Sequence, residues 1–126
     1  MKRELKIYKC LVCGNIVALL HDGGGELVCC EQPMKLLVAG EDDGAAKEKH
    51  VPVVKKDGQK IIVNVGSVDH PMVEEHYIEF IVLATETKAY VSYLSPGQKP
   101  SAEFVLTDDE AYEIYEYCNL HGLWKA

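Results

Sequence analysis

From His50 onward, apolar residues fall in short runs rich in β-branched side chains, each closed by turn residues. That is the pattern of strands rather than of amphipathic helices. Val51–Val54 and Lys60–Val65 predict two strands, and His76–Thr85 predicts a long one. Lys88–Leu94 alternates Ala89, Val91 and Tyr93 against Lys88, Tyr90 and Ser92, and only Glu86-Thr87 separates it from the long run. Those two segments therefore predict a hairpin. Pro96-Gly97 marks a turn, and Ala102–Leu106 predicts a further strand. Strand runs broken by turns at this density point to a sandwich or barrel.

The first segment, to about Leu37, is patterned differently. Lys6-Ile7-Tyr8, Ile16–Leu20 and Met34–Val38 read as short strands, and His21-Asp22-Gly23-Gly24-Gly25 as a turn. A unit this small buries little apolar surface, and below ~40 residues a metal, a disulfide or a partner is usually needed. Ala39–Lys49 is polar and has no apolar period, so it reads as a linker. One stretch resists the strand reading. Thr107-Asp108-Asp109-Glu110 is a capping box, and Ala111–Tyr117 could continue it as a helix.

Composition narrows the function classes. An apolar fraction of 48% is typical of a globular chain. No apolar run approaches the ~20 residues of a membrane-spanning helix. Met1–Lys6 lacks the apolar stretch of a signal peptide, so a cytoplasmic protein is expected. The net charge of -7 argues against nucleic acid as a partner. It also opposes an anionic substrate at long range, so attraction of an anion has to be local. Asp22, Glu26, Asp42, Asp43, Asp108, Asp109 and Glu110 read as solvated surface.

The chemistry lies in cysteine and histidine. Of five cysteines, Cys10, Cys13, Cys29 and Cys30 fall in the first thirty residues. In a reducing compartment that pattern favours a metal over disulfides. A Cys-x-x-Cys turn brings two thiolates onto one ion, and Cys29-Cys30 completes a tetrahedron. Adjacent side chains point apart in extended backbone, so that pair can converge only from a turned one. Tetrahedral sulfur suits iron, and equally zinc as a structural or misloaded ion. The second set is His50, His70, His76 and His121 with Cys118. Five donors exceed a closed tetrahedral zinc site and suit a redox iron with one face open. A thiolate opposite that face pushes electron density toward whatever binds there. His21, in its glycine turn, reads as a surface residue.

These residues carry a resemblance. Glu48-Lys49-His50-Val51-Pro52, Gly66-Ser67-Val68-Asp69-His70-Pro71-Met72 and Tyr117-Cys118-Asn119-Leu120-His121-Gly122-Leu123-Trp124-Lys125 resemble superoxide reductase. Tyr8-Lys9-Cys10-Leu11-Val12-Cys13-Gly14-Asn15 and Leu27-Val28-Cys29-Cys30 narrow this to the two-iron class, desulfoferrodoxin. The resemblance runs from about Ile7 to Lys125. Leu123 departs from it, standing where a second histidine is often found, though not as a ligand.

The resemblance implies an all-β protein: a desulforedoxin-like domain over 1–37 and an immunoglobulin-like β-sandwich over 38–126. It implies two irons per chain, one on the four cysteines and one on four histidines and Cys118. The imidazoles would lie in a plane, with Cys118 beneath and His121 bound through Nδ1. It also implies a strand rather than a helix leading into Cys118. Glu48 and Lys49 would act over the open face: Lys49 drawing superoxide in, Glu48 taking the sixth position in the ferric protein. The implied reaction is one-electron reduction of superoxide to hydrogen peroxide without oxygen release. A small donor such as rubredoxin would re-reduce the iron, and the protein would be a homodimer. The rivals are a dismutase, which evolves oxygen, and a noncatalytic electron carrier, which needs no open coordination position.

Overall fold

A computed structural model describes residues 4–42, 44–108 and 110–126. The chain divides into two compact units, the first covering Glu4–Val38 and the second Ala39–Ala126. Almost every regular element is a strand.

In the first unit, β1 (Lys6–Lys9) pairs antiparallel with β2 (Ile16–Leu19) on one side and β5 (Lys35–Leu36) on the other. A two-stranded ribbon, β3 (Val28–Cys29) with β4 (Gln32–Pro33), carries the second cysteine pair. Among the described residues of this unit only Ile7 and Cys10 are buried. Such a core cannot offset the entropy of ordering the chain, so the cysteines have to contribute through a bound ion.

The second unit is a β-sandwich of two antiparallel sheets. One has the order β10 (Ser101–Val105), β7 (Lys60–Val65), β6 (Pro52–Asp57). The other has the order β12 (Gly122–Lys125), β11 (Glu113–Cys118), β8 (Ile78–Ala84), β9 (Ala89–Tyr93). Ile61, Val63 and Val65 of β7 face Ile78, Ile81 and Leu83 of β8, with Phe104 and Ile114 filling the core between them. Ile78 and Ile81 are an odd number apart, yet both point inward. The register between β8 and β11 shifts between Tyr117 and Cys118, and this bulge reverses the facing of β8 at its start. The hairpin of β8 and β9 forms as the pattern predicts, with Thr85 N–H donating to Lys88 O. In β9 the apolar half of the alternation faces out, leaving Val91 and Tyr93 exposed.

Two segments differ from the local sequence signals. The linker ends in a short helix, α1 (Lys47–His50), which delivers His50. The stretch with the capping box holds no helix among its described residues, and strand β11 begins at Glu113. Residues 113–118 pair with β8 on one side and 115–118 with β12 on the other, and two ladders outweigh a local helix signal. Asp109 lies outside the described residues.

On β11, Glu116 shares the interior face with Ile114 and is fully buried. Neither carboxyl oxygen has a hydrogen-bond partner among the described residues. Burial alone pushes its pKa up to about 9. A carboxyl that stays protonated in the fold but ionises near 4.5 in the unfolded chain loses stability as pH rises between those values. Glu116→Gln is therefore expected to gain stability over the parent at pH 8 and to gain much less at pH 5. Urea titrations at both pH values check this, and parallel pH profiles would remove the buried carboxyl as their source.

Candidate metal centres

The first cluster is built on a tight knuckle. Gly14 N–H donates to Cys10 O at 2.9 Å, and Cys10 N–H to Asn15 O at 2.8 Å. Cys30 and Glu31 both adopt left-handed backbone, with φ of 52° and 62°. This is the turned backbone that lets adjacent cysteines converge. The four sulfurs lie within 4.8 Å of one another, Cys13 and Cys29 at 3.7 Å. The Cys13 backbone N–H pulls the Cys10 thiol down to about 6, whereas the Cys13 sulfur pushes Cys30 up to about 12. Four thiolates crowded this closely ionise together only around a cation, so the donor set fits a tetrahedral metal.

The second cluster draws on four stretches of chain. His50 ends α1, His70 follows the turn after β7, His76 sits in a bridge with Val73, and Cys118 ends β11. His121 lies in the turn between β11 and β12. The four rings stand in a square. Neighbouring centroids are 4.7, 4.5, 5.2 and 4.9 Å apart around it, and each neighbouring pair is within 20° of perpendicular. His50 and His76 face each other across the diagonal at 6.1 Å.

Hydrogen bonds settle which nitrogen faces inward. His50 Nδ1–H donates to Ala46 O at 2.7 Å, and His70 Nδ1–H to Pro71 O at 2.6 Å. A carbonyl only accepts, so both rings keep the lone pair on Nε2. Those two Nε2 atoms lie 3.2 Å apart. Burial holds the pKa values of His50 and His76 below the usual imidazole range and that of His70 down at about 4. All three are neutral near pH 7, the form that ligates. His76 Nε2 is buried without a partner among the described residues. Cys118 is fully buried, which raises its pKa, against donation from the Leu120 and His121 backbone N–H groups.

The His50, His70 and His76 nitrogens and the Cys118 sulfur lie within 4.8 Å of one another. Two converging lone pairs, an orphaned imidazole nitrogen and a buried thiol are costly together unless a cation joins them. The residues fit a metal with nitrogen and sulfur preference. The ring of His121 completes the square, but its Nδ1, the atom the family pattern gives to the metal, lies 2.7 Å from Asp42 Oδ2. Asp42, read from the sequence as plain surface, is thus a partner of this cluster. Its carboxyl is held below its usual pKa chiefly by His121.

Glu48 and Lys49 precede His50 on α1, Glu48 exposed and Lys49 half-buried. The Lys49 charge is near enough to disfavour protonation of both His50 and His76. Their helix is seated mostly by backbone atoms. Val68 N–H and Ser67 Oγ–H donate to Glu48 O at 3.0 and 3.3 Å, and Gly66 N–H donates to Val51 O at 3.2 Å. A Cβ at Gly66 would run into Val68 O and stand 2.7 Å from Glu48 O. Trp124 is a further support: it stacks on His50 at 5.0 Å, and its Nε1–H donates to His121 O at 3.1 Å. Gly66 and Trp124 sit inside the quoted motifs, but nothing in residue type alone separates a support from a spectator. His21 is exposed and joins neither cluster.

The comparisons with known proteins agree with this division. The family model described as "Desulfoferrodoxin, N-terminal domain" matches residues 2–37, and that described as "Desulfoferrodoxin" matches 42–126. The desulfoferrodoxin of Nitratidesulfovibrio vulgaris is 54% identical over 126 residues, covering 100% of this chain and 98% of its own. That of Syntrophotalea carbinolica is 56% identical with the same coverage. The crystal structure of the superoxide reductase from Treponema pallidum superposes with a TM-score of 0.82 at 35% identity, over 100% of this chain and 99% of that one.

The seat of α1 makes a direct prediction. Gly66→Ala is expected to destabilise well beyond the ~1–2 kcal/mol of a left-handed alanine, and to weaken metal retention by the histidine cluster. Gly97 has a similar φ of 90° but open space around it, so Gly97→Ala should show the backbone cost alone. Urea titrations and metal analysis of the pair check this, and equal losses would mean that the seat adds nothing.

Proposed function

The chain belongs to the desulfoferrodoxin family, and from that membership we propose that it reduces superoxide to hydrogen peroxide at its histidine cluster. The observation that carries the reading is the square of four imidazoles with the buried Cys118 sulfur in the same cluster. In this reading iron occupies both clusters. His50, His70, His76, His121 and Cys118 hold one ion, and Cys10, Cys13, Cys29 and Cys30 hold the other. Iron held by the histidine cluster would supply the one electron that, with two protons, converts superoxide to hydrogen peroxide.

The residues of the chain divide the rest of the work. His50, His70 and His76 are kept neutral by burial, so their lone pairs need no deprotonation before ligation. Cys118, shielded from water, would give a metal held there an electron-donating thiolate ligand. Lys49 supplies the local positive potential that a chain of net charge -7 otherwise denies an anion. Glu48, exposed on the same helix, would supply a carboxylate to the metal in the oxidised protein. A small donor such as rubredoxin re-reduces the protein. The protein works as a cytoplasmic homodimer, and exposed Val91 and Tyr93 on edge strand β9 give a second copy apolar surface to cover. No helix is long and apolar enough to cross a membrane among the described residues.

Stopped-flow mixing of the reduced protein with superoxide tests the reading. One peroxide per ferrous histidine site and no oxygen is expected. Oxygen evolution would mean a dismutase, and iron on the cysteines alone would mean a carrier.

Lys49→Ile is expected to slow the bimolecular step by ~10-fold with metal content unchanged. Wild type should slow as salt rises, and the variant should lose or invert that trend because its remaining surface is acidic. Lys49→Arg keeps the charge and should keep most of the rate. Identical rates and salt slopes would leave Lys49 as a solvated side chain.

Glu48→Ala should alter the ferric spectrum and its response to azide while leaving the first encounter with superoxide nearly unchanged. A large fall in that encounter rate would place Glu48 in substrate entry instead.

A further inference from the structure

Three of the imidazoles are oriented by their own hydrogen bonds: His50 to Ala46 O, His70 to Pro71 O and His121 to Asp42. His76 is different. Its Nε2 is buried without a partner among the described residues. Its position therefore depends on where the backbone of residues 73–77 is held. Val73 and His76 exchange two backbone hydrogen bonds at 3.0 Å, which closes that loop on itself but does not tie it to the rest of the cluster.

The tie is Asn119. Tyr77 N–H donates to Asn119 Oδ1 at 2.9 Å, and Asn119 Nδ2–H donates to Glu75 O at 3.0 Å. Asn119 N–H also donates to Tyr77 O at 3.2 Å. Glu75 and Tyr77 flank His76 in the chain, and Asn119 directly follows Cys118. The ladder between β8 and β11 ends at Cys118 opposite Ile78, just past the bulge. Beyond that point the two chains no longer pair as strands. A carboxamide presents one carbonyl and one N–H donor pair, the same groups a peptide unit offers a ladder. Asn119 thus acts as an added rung across the gap, with one end of its amide on each side of His76.

We propose that Asn119 is a positioning residue: by clamping the His76 loop to the Cys118–His121 turn, it sets how the His76 imidazole and the Cys118 sulfur meet the same ion. This rests on the ligand assignment given under Proposed function. Partners of this kind, one step removed from a metal, typically change metal affinity or activity by ~10- to 100-fold when lost. Aspartate cannot replace Asn119, because its carboxylate still accepts from Tyr77 N–H but meets the Glu75 carbonyl with a second acceptor. Alanine loses both side-chain bonds.

The test uses the full chain loaded with iron, comparing wild type with Asn119→Ala and Asn119→Asp. The readouts are chelator-driven release of ferrous iron from the histidine cluster, the thiolate-to-ferric visible band of Cys118, the thermal midpoint, and the absorption of the cysteine cluster as an internal control. Both variants are expected to release the histidine-held iron ~10-fold faster or more, with a displaced Cys118 band and an unchanged cysteine-cluster spectrum. Wild-type release rates and an unshifted band in both variants would overturn the proposal. So would a variant that unfolds or loses both irons together, since Asn119 would then hold the fold rather than the ligand geometry. Wild-type protein showing no Cys118 band would instead overturn the ligand assignment itself, a result separate from any failure of the clamp.

Discussion

Donation from His50 Nδ1–H to Ala46 O and from His70 Nδ1–H to Pro71 O is the constraint on which the histidine cluster depends. These bonds choose the tautomer, and the tautomer chooses the nitrogen that keeps its lone pair. With the other tautomer, protons would meet where the two Nε2 atoms now approach to 3.2 Å. Burial acts in the same direction, disfavouring the imidazolium in both rings. The backbone thus delivers neutral, inward-facing donors. Ala46 immediately precedes α1, and Pro71 immediately follows His70, so the second role of each segment is to aim the ligand it carries.

The two clusters solve different physical problems. Cys13 and Cys30 are exposed in a unit whose described residues bury only Ile7 and Cys10. There the ion substitutes for a core, and an exposed sulfur shell suits outer-sphere electron exchange. In the sandwich the core is complete without the metal, since Ile61, Val63, Val65, Ile81, Leu83 and Ile114 are wholly buried. The rigidity of that core can therefore be used to hold ligands at one end in fixed relation.

The gathering of cysteines and histidines into two clusters was legible in the sequence through the motifs that carry the family resemblance. The strand pattern was legible from Lys60 to Leu106 because alternation and turns agreed with tertiary pairing there. Residues 107–117 misled because a capping box is read within four residues, whereas the partners of β11 come from β8 and β12, far away in sequence and adjacent in sequence respectively. Asp42 looked like one acid among many, and only the fold brings it to His121. Glu116 was equally opaque: its burial depends on the register of β11, which no local signal fixes.

The seat of α1 consists mostly of main-chain atoms, the Glu48 carbonyl, the Val51 carbonyl and the N–H groups of Gly66 and Val68, joined by the Ser67 hydroxyl. A hold of that kind is indifferent to the side chains it carries. Residues at positions 48 and 49 can thus be exchanged, lengthened or discharged without unseating the helix, provided that position 66 keeps its glycine. Positions 48 and 49 are in this sense a replaceable cassette, whose charge and reach can drift in evolution or be rewritten by design while the seat of the helix is inherited unaltered.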